Sequence, residues 1–232
     1  MHRFEYLKGV YCKESYMGKK MFADRSEAAQ ALTPLLKRYE RSNAVVLGLP
    51  RGGVVVASAV AKALSLPLDV IVVKKVTPLY NDEFAVGAVT EDGDSFYDWT
   101  LNEESCGPKD TFQARIDEKQ KEVRARAARY RAVLPLRNLR GKAAIVVDDG
   151  IATGSTMRAA IRAARTRGAA KVVVAVPVAP RDSFAAVRGE ADEAACPNTV
   201  DFFPAVGQFY DAFPQVEDEE VLVMLKDAAG RT

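Results

Sequence analysis

The sequence predicts an α/β fold in which helices flank a five-stranded parallel sheet. Residues 44–49 and 68–73 are short apolar runs typical of buried strands, and a helical pattern rich in valine and alanine lies between them at 52–64. A strand, a helix and a second strand joined by short connections form a βαβ unit, whose two strands run parallel. This unit accounts for two of the five strands.

A second series of alternating strands and helices lies in the C-terminal half. The apolar run 145–147 precedes a helical pattern at 157–167 and a strong strand pattern at 171–178. A helix at 181–188 and a weaker strand pattern at 193–196 continue the alternation. Alternation of this kind is typical of a parallel sheet covered by helices, and it supplies the other three strands.

The remaining segments are less regular. Residues 1–22 show no clear period and form an N-terminal extension. Asp24 or Ser26 is the expected N-cap of a helix that reaches about residue 39. Between residues 77 and 100, turn residues bracket a β-rich stretch, which predicts a hairpin or flap.

Two more helices complete the predicted elements. A long, highly charged helix covers 108–133, and the chain ends in a helix capped by Asp218. The arginines of the long helix could form a basic patch for RNA. However, the acidic residues interleaved with them favour a solvated face or a contact between subunits.

The composition is ordinary for a globular protein. The chain has 232 residues, of which 48% are hydrophobic and 28% charged, and this length fits one large domain or two small ones. The net charge of +2 argues against a dedicated nucleic-acid-binding protein. No apolar run approaches the length of a membrane span, and residues 1–20 lack the apolar core of a signal peptide. We therefore expect a cytoplasmic protein without a membrane partner.

Histidine and cysteine usage narrows the possible chemistry. The one histidine is His2, so a Ser-His-Asp triad, a Cys-His pair and a His-ligated metal site are not expected. Acid–base chemistry then falls to carboxylates, lysines or the substrate itself. Cys12, Cys106 and Cys196 form no C-x-x-C pair, which fits a reducing compartment and argues against a zinc site.

The most informative segment is 145–156, with the sequence IVVDDGIATGST. Its apolar run ends in two adjacent carboxylates, Asp148 and Asp149, and a loop of small residues then leads into a helix. Such a loop binds anions, because free N–H groups and the helix dipole both favour negative charge. Two carboxylates beside a phosphate site must serve another group, namely a sugar diol, a magnesium ion or both. The segment therefore predicts a site for a phosphorylated sugar.

Three alternatives to a sugar-phosphate site fit this region less well. A strand that ends in a solvated Asp-Asp turn before an N-capped helix would have similar residues, but the acids and the loop together favour the sugar-phosphate site. A P-loop is excluded because no lysine adjoins Gly154. The sequence GLPRGG at 48–53 lacks the spacing of a dinucleotide-binding fingerprint.

The segment resembles the signature of type I phosphoribosyltransferases, which bind 5-phosphoribosyl-1-pyrophosphate (PRPP). The resemblance implies that Asp148 and Asp149 contact the ribose 2- and 3-hydroxyls and hold Mg²⁺, directly or through water and PRPP. It assigns the 5-phosphate to the loop that follows, which consists of Ala152, Thr153, Gly154, Ser155 and Thr156.

The likeness covers most of residues 22–225, including the segments LPRGG, VGAV, VVDDG and FFPAVGQFY. The chain looks most like a bacterial group of predicted phosphoribosyltransferases whose acceptor is unsettled. The resemblance implies a phosphoribosyltransferase domain at 23–232 that contains the flap, the inserted long helix and a C-terminal hood at about 197–215. It also implies a homodimer.

Two basic segments resemble the pyrophosphate-binding parts of the family. Arg51, Gly52 and Gly53 follow the first predicted strand, where the family uses backbone N–H groups, and Lys74 and Lys75 follow the second. Cations at these places would neutralise the leaving pyrophosphate. Alternatively, they form a helix-entry turn with a surface arginine and a solvated strand end.

The acceptor is less well specified. In the flap, Glu83 precedes Phe84, as a glutamate precedes an aromatic residue in adenine-type members, although a surface acid in a hairpin fits almost as well. Members that act on 6-oxopurines usually carry an aspartate where this chain has Ala152. The resemblance therefore favours a purine-like base that is not a 6-oxopurine, with Glu83 as a catalytic residue.

The hood is the expected cover of the acceptor. Phe202, Phe203 and Tyr210 could stack on the base there, although aromatic residues of this segment also fit a small core beneath it. The resulting hypothesis is transfer of phosphoribose from PRPP to a nitrogenous base with release of pyrophosphate, as in nucleotide salvage. The alternative is a regulatory protein that binds PRPP or nucleotides on the same fold without turnover.

Overall fold

The computed structural model describes residues 10–13, 20–77, 87–93, 95–97 and 109–230. The strands within these ranges are β1 Val10–Lys13, β2 Val45–Gly48, β3 Leu68–Val70, β4 Val73–Val76, β5 Gly87–Thr90, β6 Ser95–Tyr97, β7 Ala143–Val147, β8 Lys171–Ala175, β9 Val178–Pro180 and β10 Glu193–Val200. A parallel sheet with the order β1-β10-β8-β7-β2-β3 forms the centre of the protein, and β9 pairs with β10 outside this order.

Within the described residues, the main sheet has six strands in this order and β9 as a seventh beside β10, so the predicted number of five is wrong. The predicted strands are all present as β2, β3, β7, β8 and β10, and β1 is added at the edge, where Val10 lies opposite Ala194. The sequence does not reveal β1 because its four residues, VYCK, lie in a segment without clear period and form neither an alternating pattern nor a longer apolar run. The predicted strand 171–178 is also interrupted between β8 and β9, where Pro177 has no N–H to donate to a neighbouring strand.

The predicted strand 68–73 is divided between two sheets. Residues Leu68–Val70 belong to the main sheet, whereas Val73–Val76 pair with β5 in a separate antiparallel sheet of order β4-β5-β6. The hairpin expected between residues 77 and 100 is present as the β5–β6 pair. Glu83 lies outside the described residues.

Helices cover both faces of the main sheet. They are α1 Arg25–Leu32, α2 Gly52–Leu64, α3 Lys109–Arg131, α4 Ser155–Thr166, α5 Arg181–Glu190 and α6 Asp218–Ala229, with 3₁₀ helices at Thr33–Tyr39 and Val206–Phe209. Within the described ranges, no helix is long and apolar enough to cross a membrane.

The predicted N-cap of α1 is confirmed, whereas that of α6 is not. The Asp24 side chain accepts hydrogen bonds from the backbone N–H groups of Ser26 and Glu27 at 2.8 and 2.9 Å, as an N-cap should. At α6 the predicted cap, Asp218, is wrong by one residue. Glu217 is the N-cap there because it forms a reciprocal capping box with Glu220.

The central strands alternate between two apolar clusters, one on each face of the sheet. Val46, Ile145 and Val173 belong to the cluster that includes residues of α2, α3 and α6. Val45 and Val146 belong to the cluster that includes residues of α4 and α5. Burial of both faces explains why these strands are continuous apolar runs in the sequence.

A buried carboxylate ties the edge of this sheet to two helices. Asp69 of β3 is fully buried and forms ion pairs with Arg131 at the end of α3 and with Arg167 just after α4, the latter at 2.9 Å. It also accepts hydrogen bonds from the backbone N–H groups of Val70 at 2.7 Å and Arg137 at 3.1 Å. No local pattern in the sequence marks this group, because its four segments are distant in the chain.

Candidate active site

The acid pair follows β7 at the carboxyl edge of the main sheet. Ligands of open α/β sheets bind at this edge, and β7 lies between β8 and β2 in the strand order. The backbone N–H of Asp149 donates to Asp148 Oδ1 at 2.9 Å, so the two residues form a compact turn. The Asp149 side chain is 13% exposed. The strand therefore presents two closely spaced carboxylates.

The loop after β2 packs directly against these carboxylates. A Cβ added to Gly52 would lie 2.0 Å from Asp149 Oδ2, and one added to Gly53 would lie 2.6 Å from Asp148 Oδ1. Both distances are far below van der Waals contact, so any larger residue must displace an acid. Close approach, rather than a left-handed backbone, is the reason for glycine at these two positions.

The carboxylates are in an unfavourable electrostatic environment. Burial, together with the adjacent charge of Asp149, holds the pKa of Asp148 well above its usual range. Burial also raises the pKa of Asp149, although the hydrogen bond from Arg25 opposes that shift. Hydroxyl donors or a cation bound between the two side chains would relieve this repulsion. The arrangement therefore suits a sugar diol or a metal ion.

Arg25, the first residue of α1, is the site residue that the sequence analysis missed. Its Nε donates to Asp149 Oδ2 at 2.8 Å, and its Nη1 donates to the carbonyl of Pro214 at 2.9 Å. The guanidinium carbon lies 3.8 Å from the centroid of the Phe213 ring. No local signal marks such a residue, because an arginine next to a helix cap is ordinary in sequence.

The loop predicted to hold the 5-phosphate runs into α4. Gly154 has φ +82°, and no side chain caps the first turn of α4. A Cβ on Gly154 would also lie 2.7 Å from a methyl group of Val187, so this position requires glycine on two grounds. The hydroxyls of Thr153 and Ser155 lie 3.2 Å apart. Free N–H groups and hydroxyls at a helix N-terminus are suited to a phosphate.

The other residues of this loop differ in exposure. Ala152 and Thr153 are exposed, and Ser155 and Thr156 are half-buried. The loop is anchored by the backbone N–H of Ile151, which donates to the carbonyl of Val178 at 3.1 Å. The structure therefore presents the predicted loop at the same edge as the acid pair.

The predicted pyrophosphate-binding cations lie in two different places. Arg51 lines a cleft of about 380 Å³ that includes Arg25 and Gly52, and its Nη1 lies 2.7 Å from a carboxylate oxygen of Glu217. Lys74, on β4, is paired with Glu122 of α3. Lys75 is the next residue of β4, and its side chain is exposed. Of these cations, Arg51 is the one that the structure places beside the acid pair.

The three predicted hood residues differ in how far their rings are exposed. Tyr210 is fully buried, and its hydroxyl donates to the carbonyl of Asp149 at 2.6 Å. The tyrosine therefore supports the backbone of Asp149, and its full burial corrects the expectation that it stacks on a base. Phe203 packs on Phe209 with 4.9 Å between ring centroids, and Phe202 is 77% exposed. Of the three predicted stacking residues, Phe202 and Phe203 are the two that could offer an accessible ring.

The protein side chains beside the acid pair would supply only part of the coordination shell of Mg²⁺. No group of three or more His, Cys, Asp or Glu side chains that could hold a metal occurs in the described part of the chain. Asp148 and Asp149 supply two carboxylates, and magnesium commonly keeps several waters and binds substrate phosphates. The residues therefore fit an ion that shares its ligands with PRPP and water.

Comparison with known proteins defines the class. The family model described as phosphoribosyl transferase domain matches residues 20–213, and these include the acid pair, the loops and the hood. The chain therefore belongs to the phosphoribosyl transferase family.

The most informative individual relatives agree with this assignment. Two proteins from Mycobacterium tuberculosis strains, provisionally named phosphoribosyl transferases, are each 43% identical over 213 residues, which is 90% of this chain and 47% of each relative. This chain thus spans about half the length of these curated relatives. The crystal structure of TT1426 from Thermus thermophilus is similar with a TM-score of 0.78 and 38% identity, and the match covers 89% of this chain and 98% of that one.

Proposed function

We propose that this chain transfers 5-phosphoribose from PRPP to a nitrogenous base and releases pyrophosphate. The observation that carries the proposal is the contiguous arrangement of Asp148, Asp149 and the uncapped N-terminus of α4. A sugar diol needs hydrogen-bond acceptors and a phosphate needs N–H donors. The two sets of groups are separated here by only a few residues of the same loop.

The chemistry replaces one bond at the anomeric carbon. The C1–O bond to pyrophosphate breaks with its electron pair on the leaving oxygen, and a C1–N bond to the base forms on the opposite face of the ring. The ribose ring is positively charged in the transition state, so Asp148 and Asp149 would bind its hydroxyls and also stabilise that charge. The loop before α4 would hold the 5-phosphate and so fix the ring for attack.

Positive charge is needed where pyrophosphate leaves. Arg51 is the best placed cation, and PRPP would displace Glu217 from it. Lys74 and Lys75 remain candidates for the same role. Mg²⁺, held by the acid pair together with water and PRPP, would supply further charge neutralisation when bound.

The acceptor proposed is a purine-like base other than a 6-oxopurine. Ala152 supports this choice because it offers no carboxylate to a base nitrogen. Glu83 would take the proton that the acceptor nitrogen loses, provided that closure of the flap brings it within hydrogen-bond reach. A sensor of PRPP on the same fold is the second candidate, and turnover distinguishes the two.

PRPP with Mg²⁺ should stabilise the protein. At a hundredfold excess over Kd, binding contributes roughly 2.7 kcal/mol, which raises the melting temperature by about 5–10 °C for a chain of this size. Gly52→Ala should abolish the shift because its Cβ would lie 2.0 Å from Asp149 Oδ2. Gly189→Ala is the matched control, since nothing lies within 4 Å of a Cβ added at this position of α5. No shift in the wild type at millimolar PRPP would contradict the proposal.

The acceptor should be revealed by comparing bases. We expect kcat/KM for adenine to exceed that for hypoxanthine and guanine by at least about tenfold, measured as pyrophosphate release from PRPP. Glu83→Gln should lower kcat by about 10²–10⁴-fold if proton transfer limits the rate. Efficient turnover of hypoxanthine would contradict the inference from Ala152 that 6-oxopurines are poor acceptors. An unchanged kcat in Glu83→Gln, with chemistry rate-limiting, would remove Glu83 from the mechanism.

A further inference from the structure

Arg25 connects the acid pair to the C-terminal segment at residues 213–214. Its Nε and Nη1 donate to Asp149 Oδ2 and to the carbonyl of Pro214, and its guanidinium carbon lies over the Phe213 ring. The side chain is 9% exposed. Two directed hydrogen bonds and a ring contact leave a planar fork few other orientations.

The backbone that carries Arg25 is also held in place. Residues just before it pair with the hood, since the N–H of Asp211 donates to the carbonyl of Phe22 at 2.9 Å and that of Ala212 donates to Ala23 at 2.8 Å. Arg25 then begins α1, which is capped. A side chain on so constrained a backbone can hold its partner in one position.

The contact orients the carboxylate of Asp149. Arg25 occupies Oδ2, and the Cα of Gly52 lies so close to the same oxygen that a Cβ there would be 2.0 Å away. The hydroxyl of Tyr210 holds the backbone carbonyl of Asp149 at 2.6 Å. Because these side-chain contacts involve Oδ2, a ribose hydroxyl would bind at Oδ1.

We infer that Arg25 is a positioning residue for phosphoribosyl transfer, which acts by fixing Asp149 so that Oδ1 faces the ribose. The inference rests on the proposed function, because it assumes that PRPP is the ligand. Two other roles of Arg25 are possible alternatives to positioning. Arg25 lines the same cleft as Arg51 and could contact a phosphate itself, or it could serve the fold alone.

A double-mutant cycle on PRPP affinity separates these roles. Calorimetry with Mg²⁺ would give the PRPP Kd of the wild type, Arg25→Met, Asp149→Asn and the double variant. Coupling between contacting groups corresponds to changes of up to about a hundredfold in an equilibrium constant, so Arg25→Met should weaken PRPP binding by about ten- to hundredfold. Arg25→Lys keeps the charge and should recover part of this loss. In the Asp149→Asn background, Arg25→Met should change Kd by less than about threefold, because its target has already been altered.

Each result has a definite meaning. An equally large loss in the Asp149→Asn background would show that Arg25 contacts PRPP itself, and wild-type affinity in Arg25→Met would show no role; either overturns the inference. If Arg25→Met does not fold, the double variant still allows the test, because it lacks both charges and leaves neither one unpaired. Its PRPP Kd is then compared with that of Asp149→Asn. Arg38→Met is the control, since it removes a 2.6 Å ion pair with Glu193 outside the site and should leave Kd unchanged. No PRPP binding by the wild type would instead refute the proposed function.

Discussion

Replacement of Asp148 by asparagine is expected to remove most phosphoribosyl transfer while the fold keeps its stability. Asparagine can still accept the hydrogen bond from the N–H of Asp149, but it lacks the charge that would stabilise a cationic ribose ring. Loss of one such electrostatic contact typically lowers kcat by about 10²–10³-fold. Steady-state measurement of pyrophosphate release from PRPP checks this value.

The stability of the same variant provides the discriminating measurement. Because burial and Asp149 raise the folded-state pKa of Asp148, its ionisation destabilises the folded protein as the pH rises through that pKa. The neutral asparagine side chain removes this repulsion, so the ligand-free melting temperature of Asp148→Asn at neutral pH should be unchanged or higher. Asp149→Asn should also lose activity, but with some loss of stability, since Arg25 then lacks its carboxylate partner.

A control variant and a contrary result complete this test. Asp227→Asn changes an exposed acid in the last turn of α6, whose neighbour Ala228 lies with Pro67 at the amino edge of the main sheet, and should retain full activity. Unfolding of both Asp148→Asn and Asp149→Asn, observed by circular dichroism, would assign the acids a structural role. Full activity in either variant would contradict the mechanism directly.

The local part of the site could be predicted from the sequence. Asp148, Asp149 and the loop to Thr156 are contiguous, so the order of strand, acids, small residues and helix is visible without any tertiary information. The structure keeps that order between β7 and α4. The sequence predicts Gly52 and Gly53 as part of the site because of their backbone freedom, whereas the structure shows close packing against the acids as the reason for glycine.

Contacts between distant segments could not be predicted. Arg25 reaches Asp149 across 124 residues, and Tyr210 is buried with its hydroxyl on the carbonyl of Asp149, although its segment is suited to stacking on a base. Neither outcome depends on a local pattern. The edge strand β1 illustrates a related difficulty, because it is specified by backbone pairing with β10 and has only four residues.

Replacement of Asp69 by alanine is expected to cause the largest loss of stability, because it leaves buried arginines without their shared carboxylate. The Arg167 side chain is 7% exposed, and its Nε and Nη1 have no hydrogen-bond partner in the part of the chain that the structure describes. Its Nη2 donates to Asp69 at 2.9 Å and to the carbonyl of Arg137 at 3.1 Å, so Asp69 supplies the negative charge that its cation faces. Arg131 is 18% exposed and keeps a second carboxylate, Glu91, at 2.8 Å.

Removal of one partner from a buried ion pair costs about 3–5 kcal/mol. We expect Asp69→Ala to lower the free energy of unfolding by about this amount, measured by urea denaturation of the ligand-free protein. Asp201→Ala is the control, because its ion pair with Arg181 at 2.9 Å is exposed and such pairs contribute only about 0–1 kcal/mol. Arg167→Met in the Asp69→Ala background should restore part of the loss, since it removes the cation left unpaired. A cost for Asp69→Ala no larger than that of the control would mean that the arginines find other partners, and that this carboxylate does not hold β3 to the two helices.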